Sequence, residues 1–315
     1  MAANPLTTRS RVMLEMASEM VGGPDREFKQ TRISFRSQGG REWSHSFYGA
    51  STFEMIDTVV RGEAMIAMMN PVGPLSMAAK GKGRYSSPQP VRCIAVIPSE
   101  DQFVMAMRPE TGIKTLEEFA TKKPKLKIGL RGQLDHALTP MAIDITRAAG
   151  WELDDLNKWG GEAKREGNIP FPNGPKFAQL VKGELDGVFD EASSSWCNEA
   201  AKAGMNILSM SEATVKKLED VGYRRATIRK SVFPALKQDI LTIDFSGWPI
   251  FVRADLADDI VTQMCAGLDA RKHNIPWEGE GPLPVERMAR DAVDTPQDVP
   301  LHPAAEKFWK SKGYL

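Results

Sequence analysis

Four polar side chains lie close together near the middle of the chain, in the sequence Arg131-Gly-Gln133-Leu-Asp135-His136. An arginine can hold a carboxylate through two parallel hydrogen bonds, each contributing roughly 1.5 to 3 kcal/mol when it is sheltered from water. A histidine near neutral pH can act as a general acid or base, and Asp135 could orient its imidazole. The cluster therefore fits capture of an anionic ligand or acid–base chemistry. A surface loop with ordinary ion pairs has the same composition.

The segments around this cluster predict a strand followed by a helix. Residues 127–130 form a short apolar run with the length of a buried parallel strand. Thr139 is expected to cap the following helix, Pro140 fits its first turn, and Gly150 marks its end. The polar cluster would then lie at the carboxyl end of a strand and before a helix N-terminus. Open α/β sheets bind small ligands at such places.

Loops at other predicted strand ends supply further candidates for ligand binding. Together they mix cations, amides, hydroxyls and one aromatic ring, which suits a carboxylate-bearing molecule with a flat or apolar body. Alternatives stay open: a surface ion pair for each arginine, a packing role in a hinge for the tryptophan, a solvated loop position for the glutamate. The predicted ligand-binding set is Asn4, Thr7, Thr8, Arg9, Gln38, Asn70, Arg131, Gln133, His136, Glu191 and Trp248.

Two stretches of the chain share one local plan. Residues 55–69 and 177–190 each read as a helix that ends in a basic residue, then Gly-Glu, then a strand. Gly62 and Gly183 are expected to adopt the left-handed conformation that ends a helix and turns the chain into a sheet. The repeat predicts two α/β lobes of similar build, although a chance match of a common turn would look the same.

Two apolar segments, residues 102–108 and 239–253, could carry the chain between these lobes. In that case residues 1–102 and 247–315 form the first lobe, and residues 103–246 form the second. The tail after residue 253, with its proline-rich connections, is assigned to packing. Two crossing segments make a hinge with a ligand cleft between the lobes.

Composition excludes several classes of function. The 315 residues contain 41 lysines and arginines against 41 acidic residues, so no net charge favours nucleic acid or anionic lipid. Cys93, Cys197 and Cys265 have no zinc-ligand spacing. Phosphate-loop, zinc-protease and dinucleotide motifs are missing from the sequence, and we expect no metal and no cofactor.

Six segments, taken in order, form a recognisable set. They are ETGIKTLEEF at residues 110–119, KIGLRGQ at 127–133, AAGW at 148–151, VKGELDGVFD at 181–190, WPIFVRADLADDIV at 248–261 and PLHPAAEKFWKSKGY at 300–314. Together they resemble the TAXI-type solute receptors of TRAP transporters, and more broadly the type II periplasmic-binding-protein fold. The resemblance implies a two-lobed α/β fold with two hinge-crossing strands, an organic acid as ligand, and membrane transporter subunits as partners. Gly132-Gln133-Leu134 departs from the glycine-serine-glycine turn of the family.

The leading hypothesis is a TAXI-like receptor that binds a small carboxylate-bearing molecule between its lobes. The alternative is a cytoplasmic lyase on the same fold, a decarboxylase or dehydratase of an aromatic or unsaturated acid. In that case His136 would be the general acid or base, with Asp135 or Glu191 beside it. The N-terminal residues lack the apolar core of an export signal. A cytoplasmic location is therefore expected as the sequence stands, and a periplasmic one for the mature form of an exported protein.

Overall fold

Two five-stranded sheets organise the computed structural model, which describes residues 5–22, 31–36, 44–49, 53–134 and 136–315. The helices are α1 (Pro5–Gly22), α2 (Glu54–Val60), α3 (Val72–Lys80), α4 (Glu118–Lys122), α5 (Leu138–Ala148), α6 (Asp155–Lys158), α7 (Pro175–Lys182), α8 (Ser193–Lys202), α9 (Glu212–Asp220), α10 (Asp258–Arg271) and α11 (Pro303–Ser311). The strands are β1 (Thr31–Arg36), β2 (Ser44–Gly49), β3 (Ile66–Met68), β4 (Val91–Ile97), β5 (Val104–Met107), β6 (Lys127–Leu130), β7 (Glu162–Arg165), β8 (Gly187–Asp190), β9 (Asn206–Ile207), β10 (Arg225–Ile228), β11 (Ile240–Ile243) and β12 (Trp248–Arg253).

The first lobe is built on the sheet β1-β2-β3-β12-β4. Strands β2 and β3 run parallel, and β12 lies antiparallel between β3 and β4. A strand from late in the chain thus fills the middle of a sheet made from early strands. Apolar side chains from both faces of the sheet form two buried clusters, which include Ile56, Leu75 and Phe251 on one face and Ile94, Val252 and Trp309 on the other.

The second lobe is built on the sheet β7-β6-β8-β5-β9. Strand β6 runs parallel to β7 and β8, and β5 runs antiparallel to β8 and β9. Residues 127–130 form the buried parallel strand that the sequence predicted. Because β6 and β8 are parallel neighbours, their carboxyl ends, which precede Arg131 and Glu191, meet at one edge of the sheet.

The chain passes between the lobes twice, at residues 98–103 and 244–247, and the two passages are hydrogen-bonded to each other. Gln102 and Asp244 form an antiparallel bridge. The Phe245 amide donates to the Asp101 carbonyl at 2.9 Å, and the Gly247 amide donates to the Ser99 carbonyl at 2.9 Å. The predicted two-lobed α/β fold with two crossing segments is confirmed.

The second crossing segment is interrupted. Residues 239–253 form two strands rather than one, since β11 pairs with β10 in a small separate sheet and β12 enters the first lobe. The break falls at Ser246 and Gly247. The Ser246 hydroxyl accepts from the Asp101 amide and donates to the Asp101 carbonyl, both at 2.9 Å. Gly247 has a φ of 74°, which favours glycine.

The predicted helix cap at Thr139 is also wrong. Helix α5 begins at Leu138, with Ala137 in the capping position. The amide of Leu138 donates to Nδ1 of His136 at 3.2 Å, so the imidazole pairs an amide at the start of the helix. Thr139 already lies inside the first turn, where its hydroxyl donates to the Gln133 carbonyl at 3.5 Å.

Gly62 and Gly183 adopt the predicted left-handed conformation, with φ of 75° and 80°. Their surroundings differ. A Cβ at Gly62 would have nothing within 4 Å, whereas a Cβ at Gly183 would stand 1.5 Å from Nη1 of Arg108.

We therefore expect Gly183→Ala to destabilise the protein more than Gly62→Ala. Each substitution places a side chain in the left-handed region, which costs about 1 to 2 kcal/mol. Only the alanine at 183 also displaces the Arg108 guanidinium from its contact with Glu110. Urea unfolding of the two variants beside the wild type measures the difference. Equal midpoints for both variants would show that the contact with Arg108 has no energetic weight.

Candidate functional site

A cavity of about 730 Å³ lies beside the hinge and is lined by residues from both lobes. Three predicted ligand-binding residues meet there: Asn70 after β3, Trp248 at the start of β12, and Glu191 after β8. The rest of its lining is Pro98, Ser99, Glu100, Asp101, Ile169, Phe171, Ala192, Ser194, Ser195, Trp277, Glu278, Gly279 and Asp294.

The first-lobe wall of the cavity is formed by the neighbouring ends of β3 and β12. Met68 is paired with Ile250, and the Met69 amide donates to the Pro249 carbonyl at 3.2 Å. Asn70 Oδ1 and Trp248 Nε1 are both buried, and neither has a hydrogen-bond partner within the described part of the chain. One atom is an acceptor and the other a donor.

The second-lobe wall is formed by the first turn of α8. Ala192, just before this helix, has a φ of 61° and turns the chain sharply after β8. The amides of Ala192 and Ser193 donate to the two carboxyl oxygens of Asp101 at 2.8 and 2.7 Å. Asp101 belongs to a hinge passage, so a hinge side chain holds the start of α8 in place. Ser194 and Ser195 from the same turn line the cavity.

Arg131 lies behind this wall and is 5% exposed. Its Nη2 donates to Asp190 Oδ1 at 2.6 Å, and it also forms a short ion pair with Glu191. Lys176 binds the other Asp190 oxygen at 3.3 Å and the Leu130 carbonyl at 3.0 Å. The Arg131 guanidinium is therefore engaged by carboxylates of the protein itself. In this position it holds Glu191, which does line the cavity.

Burial and neighbouring charges shift the pKa values of two acidic groups in the wall. Burial, with the nearby charge of Glu191, raises the pKa of Asp101 well above its ordinary value. Burial acts in the same direction on Glu191, but hydrogen bonding from Asp101 and the charge of Arg131 outweigh it and lower the pKa of Glu191. The two acids of the wall are therefore shifted in opposite directions, with the pKa of Asp101 raised and that of Glu191 lowered.

Among the remaining predicted residues, the two whose side chains the structure describes lie away from the cavity. His136 is 6% exposed, its ring is parallel to that of Phe245 with 6.1 Å between centroids, and it does not line the cavity. The Gln133 carbonyl accepts a hydrogen bond from the Thr139 hydroxyl, and Gln133 does not line the cavity either. Thr7, Thr8 and Arg9 fall within α1, while Asn4, Gln38 and Asp135 lie outside the described residues.

Residues from the tail of the chain also line the cavity, and the sequence did not predict them. Trp277, Glu278 and Gly279 lie in the loop after α10, and Asp294 follows further on. The Ser99 hydroxyl donates to the Glu278 carboxylate at 2.8 Å, which attaches this loop to the hinge. These residues carry no motif, so the proline-rich composition of the tail suggested packing alone. Only the return of the chain to the first lobe brings them to the cavity.

Two further features of the described residues bear on function. No group of three or more His, Cys, Asp or Glu side chains within them could hold a metal ion. Nor does any helix in these ranges combine the length and apolar character needed to cross a membrane.

The two lobes, the paired hinge passages and the cavity between them define a type II periplasmic-binding-protein-like fold. The chain belongs to the NMT1-like family, whose model matches residues 45–313. A search of curated protein sequences gave no match.

Among solved structures, the chain is similar to one described as a periplasmic transporter, with 17% identity, 83% of this chain and 77% of that chain covered, and a TM-score of 0.35. It is also similar to an alkanesulfonate-binding protein from Xanthomonas axonopodis pv. citri bound to MOPS, with 10% identity, coverage of 70% and 60%, and a TM-score of 0.31. A third is an ancestral arginine-binding protein bound to glutamine, with 13% identity, coverage of 71% and 73%, and a TM-score of 0.31.

Proposed function

We propose that this protein is a solute receptor that captures a small organic molecule in the cavity between its lobes. The observation that carries the proposal is the convergence of Asn70 and Trp248 from one lobe with Glu191 and the start of α8 from the other. The cavity volume of about 730 Å³ lies in the range of small-molecule sites.

The hinge gives this cavity a way to respond to its ligand. The two walls belong to different lobes, and the lobes are joined by two hydrogen-bonded passages of a few residues each. A molecule that contacts both walls favours the arrangement in which they are closest, so binding and lobe closure are coupled. This is how a receptor presents a ligand-bound shape to a transporter.

The proposed ligand carries a carboxylate, as expected for a TAXI-like receptor of a TRAP transporter. This carboxylate would bind at the first turn of α8, where two serine hydroxyls line the cavity at the positive end of the helix dipole. Arg131 is not part of this carboxylate site, because its guanidinium already binds Asp190 and Glu191.

Mass spectrometry of the small molecules that co-purify with the protein tests the receptor function directly. We expect an organic acid, and a panel of such acids should raise the melting temperature. A ligand present at 100 times its dissociation constant adds about 2.7 kcal/mol to stability. Ser194→Glu places a negative charge on the cavity wall and should remove the shift. Ser231→Glu, on an exposed residue that does not line the cavity, should retain it.

The receptor function is wrong if nothing co-purifies and no acid in the panel changes the melting temperature. If acids bind equally to the wild type and to the Ser194→Glu variant, the protein is a receptor with its carboxylate site elsewhere.

A further inference from the structure

We infer that the ligand presents a hydrogen-bond donor and an acceptor on neighbouring atoms to Asn70 and Trp248. A primary carboxamide or a lactam edge has this pattern, and an ionised carboxylate lacks it. The inference rests on the proposed receptor function and specifies one end of its ligand.

The positions of Asn70 and Trp248 follow from the pairing of β3 and β12. Met68 is opposite Ile250, and the backbone hydrogen bond from Met69 to Pro249 extends the antiparallel ladder. Asn70 directly follows Met69 and Trp248 directly precedes Pro249, so the two residues flank the last hydrogen bond between the two segments. Both side chains line the cavity, so a single ligand group can reach both.

The polar atoms of this pair are complementary to an amide. Asn70 Oδ1 and Trp248 Nε1 are buried and have no hydrogen-bond partner among the residues that the structure describes. Buried polar groups in native proteins are almost always paired, because leaving one unpaired is costly. A ligand that donates to Asn70 Oδ1 and accepts from Trp248 Nε1 pairs both atoms at once.

An ionised carboxylate at this place would satisfy only half of the pair. It accepts a hydrogen bond from the indole N–H, but it has no proton to donate. Its second oxygen would face Asn70 Oδ1, and these two acceptor atoms repel each other. The ligand is therefore an acid whose carboxylate lies at α8 and whose other polar end is an amide.

Isothermal titration calorimetry with two matched pairs of probes tests this assignment on the full chain. One pair is succinamate and succinate, and the other is 4-carbamoylbenzoate and terephthalate. We expect the amide acid of each pair to bind at least about tenfold more tightly, since one hydrogen bond is lost and one repulsion gained in the dicarboxylate. Asn70→Leu should bring this ratio close to one, while Asn70→Asp keeps the acceptor and preserves the preference. The exposed Asn157→Leu serves as the control.

Equal affinities within both pairs, or a ratio that Asn70→Leu leaves unchanged, overturn the amide assignment while leaving the receptor function intact. Absence of binding by all four probes also overturns it. The receptor function is then judged separately, by whether a different molecule co-purifies with the protein.

Discussion

Replacing Arg131 with methionine is expected to lower the free energy of unfolding by about 3 to 5 kcal/mol. The substitution removes the cation between Asp190, which is fully buried, and Glu191, which is 6% exposed. Lys176 still contacts Asp190, so the uncompensated charge falls mainly on Glu191. Urea unfolding followed by circular dichroism measures the loss. Arg131→Lys, which keeps a charge without the planar fork, should fall between methionine and the wild type.

Arg225 provides a matched control for this substitution. It also binds two carboxylates, those of Glu212 and Glu219, but all three side chains are at the surface. Exposed ion pairs contribute little, because water and salt screen them. We expect Arg225→Met to leave the unfolding midpoint almost unchanged. If the two methionine variants unfolded at the same urea concentration, the buried pairs around Arg131 would have no special weight.

Trp248→Ala is expected to weaken ligand binding about 100-fold, which corresponds to about 2.7 kcal/mol. The side chain offers the cavity a large aromatic surface together with an indole N–H that has no partner in the described part of the chain. Buried tryptophans of this kind dominate many binding sites. The fraction of protein that retains its small molecule through purification, measured by native mass spectrometry, should fall accordingly.

Trp159→Ala controls for the loss of an indole ring as such. Trp159 is also partly buried, but it packs against Trp151 in the second lobe and does not line the cavity. The Trp159→Ala variant should therefore retain the ligand. Equal ligand occupancy in the two alanine variants would place the binding site away from Trp248.

Local chemistry allowed much of the fold to be predicted. The strand at residues 127–130 is an apolar run of the right length, and Gly62 and Gly183 each end a helix in the left-handed conformation. The predicted cap at Thr139 is wrong because the helix already begins at Leu138, which leaves Thr139 inside the first turn. Its hydroxyl donates to the Gln133 carbonyl, a contact with the preceding loop that a linear pattern does not contain.

The candidate site could be predicted only in part, since most of its geometry depends on contacts between distant segments. Asn70, Glu191 and Trp248 follow predicted strand ends or begin a strand, and they line one cavity. Asp101 was not predicted, because the amides that it binds, those of Ala192 and Ser193, lie about ninety residues away in the sequence. The role of Arg131 depends on its contact with Asp190, which lies 59 residues away in the sequence on the neighbouring strand.

The position of β12 has a consequence for how the protein is made. The ribosome completes all strands of the five-stranded sheet in the second lobe, which end with β9 at Ile207, before it reaches Trp248. Until then β3 and β4 lack the strand that lies between them. During translation the second lobe can therefore fold before the sheet of the first lobe is complete. The nascent chain then folds from its middle segment outward.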